Sequence, residues 1–341
     1  MGCVQSVSSV PITGHADVIF VGDNSASMGT ALEHFETHLE PFVALLDARG
    51  IDVRIILLSL RARGLVTINN SQRYGLCIPP PLAGDDECGD GTRFFQRSVD
   101  VLSTAVLEQV LGTLGQTAGY TATDPRGGPE WASLLRPRSA PSFVIISDDN
   151  ARLNADNFET FAGGQNPFNG LTLPPGVLDP SWGGRFTGYG VSGVYGWGSE
   201  TDPTARCTFA NNTSAASSGP TYTDLVARTG GVRARICDEA AGWDTFIEAL
   251  ATDIGTKRAP CDVALPATLD PSLVNLRVGS TLLAGVADAS SCGTHNAWYY
   301  DDPSAPTAIR LCPAACTLAR AASVTSFEVE VEQGCPTLPP Q

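Results

Sequence analysis

Three oxygen-bearing side chains stand at alternate positions, Asp23, Ser25 and Ser27, directly after the apolar run Val18-Ile19-Phe20-Val21-Gly22. A carboxylate with two hydroxyls is a hard donor set. It suits Mg²⁺, which takes oxygen ligands, keeps several waters and does not seek sulfur or imidazole; Mn²⁺ or Ca²⁺ would accept the same atoms. In an open α/β sheet the loop leaving the carboxyl end of a strand is where ligands bind, which is where this spacing would put the three oxygens.

Other constellations carry less. An aspartate after a strand can be a phosphotransferase nucleophile, but Ser25 stands where that chemistry wants a second carboxylate. His34 and His38 lie four residues apart on a helical pattern, yet Glu36 is misplaced for an H-E-x-x-H metalloprotease, and both flank the Phe35 and Leu39 stripe as a solvated helix edge would. There is no G-x-S-x-G elbow and no Gly-rich loop with lysine for phosphate. Asp301 and Asp302 beside Trp298-Tyr299-Tyr300 could hold calcium or a glycan, although a turn before Pro303 accounts for them more simply.

The elements that must position the Asp23 loop alternate between strand-like and helix-like periods through three quarters of the chain, the pattern of an α/β domain with a mostly parallel sheet. Strands are expected at 16–21, 51–60, 142–147, 186–196 and 232–236. Amphipathic helices are expected around Leu32 to Leu46, from about Ser103 to Leu114, briefly at 155–161, at 222–228 and at 243–254. Leu65 to Ile68 reads as a hairpin partner of the 51–60 strand across residues 61–64. The Gly- and Pro-rich segments 71–92 and 163–184 read as excursions. Beyond 260 strands and turns dominate, with no useful helical period. The expected organisation is an N-terminal segment 1–15, an α/β domain 16–258, and a small disulfide-rich β module 259–341.

Composition bounds the function. With 36 acidic residues against 21 basic, a formal charge of −15 and Lys257 as its only lysine, the chain would repel a polyphosphate, which excludes a general nucleic-acid binder. No apolar stretch approaches the roughly 20 residues of a membrane-spanning helix. Ten cysteines, none in a C-x-x-C pair, point to disulfides and an exported protein, secreted or in the cell envelope, whose signal peptide is missing from this chain. Cys77 with Cys88 and Cys207 with Cys237 are the expected pairs of the α/β domain. The odd cysteine of the tail is left for Cys3, unless Cys3 is the lipidated residue of a lipoprotein.

Asp23-x-Ser25-x-Ser27 after an apolar strand resembles the metal-ion-dependent adhesion site of von Willebrand factor A domains, and the likeness runs over roughly residues 16–256. Thr229-Gly230-Gly231 followed by a strand and the Trp243 helix is similar as well. Past 260, the cysteines with Trp298-Tyr299-Tyr300-Asp301-Asp302-Pro303 resemble the tail of secreted A-domain proteins of myxobacteria-like bacteria. The resemblance implies a doubly wound, Rossmann-like fold and a site completed by a hydroxyl from a second loop and an aspartate at a later strand end. Asp148 matches the latter in Ile145-Ile146-Ser147-Asp148, with Asp149 beside it. Ser103 is the choice for the former, with Thr121 or Thr123 as fallback, because no Gly-rich stretch precedes a threonine here. The family implies binding rather than turnover: a protein or cell-surface ligand would offer a carboxylate to the bound Mg²⁺. Against this stand three alternatives. Ser25 and Ser103 could merely cap helices; the same loop could serve a metal-dependent hydrolase of phosphate or ester substrates, for which His15 is the nearest candidate base; or a closed metal site could only stabilise an envelope protein.

Overall fold

The first strand changes character half-way. Ser6 to Thr13 mixes serines and a threonine with Val7, Val10 and Ile12, whereas Ala16 to Val21 is almost wholly apolar, and both halves belong to one strand, β1 (Ser6–Gly22). The first half suits an antiparallel sheet with one wet face, the second a buried parallel strand. The computed structural model describes residues 6–121, 130–136, 139–255, 261–265, 270–322 and 328–338. It divides into two units, one of Ala16–Leu45 with Val53–Ile254, the other of Met1–His15, Leu46–Asp52 and Gly255–Gln341.

In the larger unit β1 is followed by α1 (Gly29–Asp47), β2 (Ile51–Leu58), a hairpin of β3 (Gly64–Ile68) and β4 (Ser71–Gly75), and β5 (Phe94–Arg97). Next come α2 (Val106–Leu114), β6 (Ser142–Ser147), α3 (Ala155–Thr160) and the short pair β7 (Gly164–Gln165) and β8 (Thr172–Leu173). The unit closes with β9 (Gly190–Tyr195), α4 (Pro220–Thr229), β10 (Arg233–Arg235) and α5 (Glu239–Asp253). Its sheet has the order β5-β2-β1-β6-β9-β10, and β1 with β6, β6 with β9, β9 with β10 and β2 with β5 run parallel. Every residue of β6 and β9 is buried, which is why both read as unbroken runs. Phe20 packs on Phe35 and Phe42 of α1 at ring distances of 4.9 and 5.6 Å. Ile19 and Val21 point into the cluster that holds Leu107 and Leu111 of α2 and Tyr222 of α4, so alternate residues of β1 serve different helices.

The smaller unit contains β11 (Asp262–Ala264), β12 (Val274–Val278), β13 (Thr281–Gly285), β14 (Ala297–Tyr300), β15 (Ala308–Leu311), α6 (Pro313–Ala322) and β16 (Glu328–Gln333). Its strand order is β11-β15-β14-β13-β12-β16, and the pairings lead back to β1, with Ser6 to Pro11 antiparallel to β16 and Ile12 and Thr13 antiparallel to β11. Only β13 and β14 pair in parallel among these described strands. A small core around Val263, Leu276, Leu283 and Trp298 is stapled by Cys261–Cys316 and Cys292–Cys312, a common compensation where little apolar area can be buried.

These pairings correct the expected fold class. The protein is not a doubly wound, mostly parallel α/β fold with a helix-free tail. It is strand-rich and mixed: among the described residues sixteen strands accompany six α-helices, and the parallel strands of the larger unit are joined through β1 to an antiparallel-rich set that takes in half of that strand. The physical reason is the length of β1. Ser6 to Thr13 lies in what was expected to be a separate N-terminal segment and pairs with strands from the far end of the chain. Two further corrections follow from local chemistry. β3 pairs with β4 rather than with the preceding strand, and Asn69 and Asn70, with φ of 49° and 62°, form the left-handed turn between them. The tail does hold a helix, α6, which begins on Pro313 and is rich in alanine.

Cys77–Cys88 and Cys207–Cys237 pair as expected. Cys335 is also disulfide-bonded, and Cys3 lies outside the described residues. These disulfides accord with an oxidising, extracytoplasmic compartment. Among the described residues no helix is long and apolar enough to cross a membrane.

Candidate metal centre

The carboxyl ends of β1 and β6 lie side by side, with Gly22 opposite Ile146, and the loops that leave them meet. Asp23 is fully buried there. Its Oδ1 accepts the backbone N–H of Ser25 at 2.8 Å and of Ser103 at 3.0 Å, and its Oδ2 accepts the Ser147 hydroxyl at 2.9 Å. The hydroxyls of half-buried Ser25 and exposed Ser27 are 3.1 Å apart, and Ser27 lines one cavity with Asp148. The structure therefore brings Asp23, Ser25, Ser27, Ser103 and Asp148 into one cluster. Asp149 sits beside it, its N–H directed to the Ser147 hydroxyl at 3.2 Å. Thr121 is exposed and Thr123 lies outside the described residues.

A residue that the sequence reading passed over holds the loop in place. Asn24 is fully buried, donates to Ser59 Oγ at 2.8 Å and to the Tyr74 carbonyl at 2.7 Å, and accepts the N–H groups of Leu60 and Val101 at 2.9 and 3.2 Å. It thereby joins the ends of β1 and β2, the β4 strand and the approach to Ser103. Only its place between Asp23 and Ser25 hinted at this. Gly22 is needed for close approach, since a Cβ there would lie 3.1 Å from Leu32 and 3.2 Å from Ser59 Oγ.

The capping alternative finds little support. Ser25 precedes a single 3₁₀ turn but makes no capping hydrogen bond. Ser103 is not at the cap position before α2; it has φ of 29°, a left-handed strain that accompanies its N–H bond to Asp23.

Electrostatics sets Asp23 apart from other buried acids. Asp17 is bound by the Arg136 side chain at 2.7 Å, and Glu108 accepts two 2.7 Å bonds from Arg152. Asp23 has no cationic side chain against it among the described residues. Burial drives its carboxyl up to about 6, against the lowering effect of the Ser25 N–H and Ser147 hydroxyl. Asp148 is also raised, chiefly by burial, with the Ser27 hydrogen bond opposing and the charge of Asp149 adding. Tyr222 is fully buried nearby; its hydroxyl feels Asp23 and lies near Ser147 yet completes no hydrogen bond of normal geometry.

Among the described residues no three His, Cys, Asp or Glu side chains are grouped to hold a metal. A cation here would rest on mixed carboxylate and hydroxyl oxygens, and the donors present fit a hard divalent ion in chemistry and in the sign of the missing charge. Beside the cluster a cavity of about 300 Å³ is lined by Ser27, Asp148 and His34, among others, so His34 faces a cavity instead of lying on a merely solvated helix edge. A larger groove of about 590 Å³ at Trp197 and Arg233 includes none of the candidate residues.

No family model matches the chain, and no curated protein matches it. Among solved structures it is similar to the pilus adhesin SpaC from Lactobacillus rhamnosus GG in an open conformation, at 11% identity and a TM-score of 0.33. The alignment covers 96% of this chain and 40% of the adhesin, so the chain spans less than half the length of that protein. So distant a likeness fixes neither fold nor function.

Proposed function

We propose that this chain is an exported, divalent-cation-dependent binding protein that engages a carboxylate of a protein or cell-surface partner at the Asp23 loop. The observation that carries the reading is the buried Asp23 carboxylate, which has hydroxyl and N–H partners but, among the described residues, no cationic side chain. An uncompensated buried charge is costly, and a cation would offset it. Asp23, Ser25, Ser27, Ser103 and Asp148 would hold the ion, Mg²⁺ by preference. When bound, the ion would supply positive charge that attracts an incoming carboxylate. The chain's own contribution is to fix the donors: Asn24 anchors the first loop, and the Ser103 N–H and Ser147 hydroxyl hold the Asp23 carboxylate in one orientation. The likeness of the Asp-x-Ser-x-Ser loop to the adhesion site of A domains supports the reading at the level of the motif.

Titration calorimetry with Mg²⁺ tests it. The wild-type protein should bind one ion per chain and the Asp23→Asn variant none; equal binding by both would overturn the proposal. A metal-dependent hydrolase is the second reading, favoured by His34 lining the same cavity as Asp148. It requires Mg²⁺-stimulated turnover of a simple phosphate or acetate ester that is lost in His34→Ala.

A further inference from the structure

The parallel sheet of the larger unit ends on β5 at one side and on β10 at the other, and the chain treats the two edges differently. Between β2 and β5 the Ile55 N–H donates to Arg93 O and the Ser59 N–H to Arg97 O. Alternate residues of a parallel strand bond the same neighbour, so Phe94 and Gln96 turn their backbone groups outward. The chain itself occupies them. Gly91 N–H donates to Phe94 O at 2.8 Å, Asp90 Oδ1 accepts the Gln96 N–H at 2.9 Å, and the Arg97 guanidinium donates to Gln96 O at 3.2 Å. The segment before β5 thus covers its own edge, a usual protection of exposed strands.

The β10 edge lacks that cover. Gly193 N–H donates to Val232 O at 3.1 Å, which sets Val232 and Ala234 towards β9 and turns the backbone groups of Arg233 outward. Among the described residues nothing bonds the Arg233 N–H or carbonyl. Its side chain is engaged elsewhere: the guanidinium lies 3.9 Å from the Trp197 ring centroid and pairs with Glu200 at 2.7 Å.

This open edge is one bank of the groove of about 590 Å³, and the other bank is the face of α5 that carries Ala241, Thr245, Phe246 and Ala249. Three of these four are small and leave room for incoming side chains. From Ala241 to Ala249 the helix rises about 12 Å, the length of about four extended residues. Trp197 lines the same groove, is 7% exposed, and its indole N–H completes no hydrogen bond. A buried donor without an acceptor is costly. The groove therefore combines an unpaired backbone N–H and carbonyl, an unpaired indole N–H and an apolar flank, and the backbone of an extended chain supplies both kinds of hydrogen-bonding partner.

We infer that the groove between β10 and α5 is a strand-addition site: an extended segment of a partner protein, with aliphatic residues at alternate positions, pairs its backbone with Arg233 and lays those side chains against α5. A second copy of this chain is the poorer occupant, because antiparallel self-pairing centred on Ala234 sets Arg233 opposite Arg235. Nothing in the groove uses the Asp23 cluster, so the inference stands apart from the cation reading.

Selection from a phage-displayed random heptapeptide library on the immobilised full chain in chelator tests it, with the recovered sequences made as free peptides and titrated by fluorescence anisotropy. They should carry valine, isoleucine or leucine at alternate positions. Their affinity should hold within about twofold in Arg233→Ala and fall about tenfold or more in Arg233→Pro, which removes the outward N–H without touching a bond to β9. Thr245→Trp, a change at an exposed helix position that fills the groove from its other bank, should weaken them as much, and decides the matter if Arg233→Pro does not fold. Peptides that bind all four proteins equally overturn the site, as does a selection that yields no binders in chelator. A wild-type chain that sediments as a dimer beside a monomeric Arg233→Pro chain replaces the partner by a second copy and overturns the assignment. None of these outcomes bears on Mg²⁺ binding at Asp23.

Discussion

Ser147 closes β6 by donating its hydroxyl to Asp23 Oδ2 at 2.9 Å, so two neighbouring strand ends share one buried carboxylate. The bond fixes the carboxylate plane and leaves its charge unneutralised. An asparagine at position 23 could keep the same geometry, accepting the Ser25 and Ser103 N–H groups through its carbonyl and donating to Ser147. Asp23→Asn should therefore abolish Mg²⁺ binding while leaving the urea-unfolding free energy unchanged or slightly higher. Asp23→Ala should lose binding and also about 2–4 kcal/mol, because three donors are orphaned. Equal stabilities of the two variants would contradict the geometry.

The raised carboxyl of Asp23 predicts a pH dependence of definite sign. Its folded value, about 6, lies above the ordinary aspartate value of 3.8, so the metal-free fold retains the proton longer than the unfolded chain does. Stability of the metal-free protein should be greatest at the acid end of this window and fall as pH rises from about 4 to about 6, by on the order of 3 kcal/mol from this group. Mg²⁺ competes with that proton. Its affinity should be about tenfold weaker at pH 5 than at pH 7.5, and a flat calorimetric profile would count against Asp23 as a ligand.

Glu108 and Arg152 form a bidentate pair, with the glutamate side chain 1% exposed and the arginine 34%. Arg152 also donates its backbone N–H to the Thr104 carbonyl at 2.9 Å, so the pair locks the Ser103 loop to the loop that follows Asp148. Arg152→Ala should cost about 2–3 kcal/mol, discounted for the exposure of the arginine, because it leaves Glu108 buried and unpaired. Replacing both by leucine and methionine should recover part of that loss. Urea unfolding of the three proteins measures it.

Asn24→Ala should cost about 3 kcal/mol, since it removes four hydrogen bonds, three of them buried. Asn24→Asp should be at least as damaging despite its shape, because it sets a carboxylate oxygen against the Tyr74 carbonyl next to Asp23. Thermal unfolding of both variants provides the comparison; a mild Asn24→Asp would show that the amide orientation does not matter.

What could be read from the sequence were features whose cause is local. The buried run Ser142 to Ser147, the helix stop at Gly50, whose φ is 68°, and the hydroxyl spacing after β1 all follow from neighbouring residues. The mixed sheet was hidden because its cause is distant: Ser6 to Thr13 has no regular alternation, and nothing in it names β16 and β11 as partners. Asn24 was missed for a similar reason. Its role lies in four groups from three later segments, none of which has a spacing that marks it. His34 shows the converse: its helix was legible, but the cavity it lines also takes Phe209, Asn211, Thr213 and Ser214 from the loop after β9.

The path of β1 also constrains how the chain can be made. Ser6 to Thr13 leave the ribosome long before Asp262 to Ala264 and Glu328 to Gln333, the segments they pair with. Until those arrive, an unpaired strand presents open hydrogen-bonding edges, a template for association with other chains. The smaller unit can close only after synthesis is nearly complete, so successful folding depends on keeping that early strand solitary through translation. A gene fragment spanning only the tail would lack a strand that β11 and β16 require, and should be prone to aggregation.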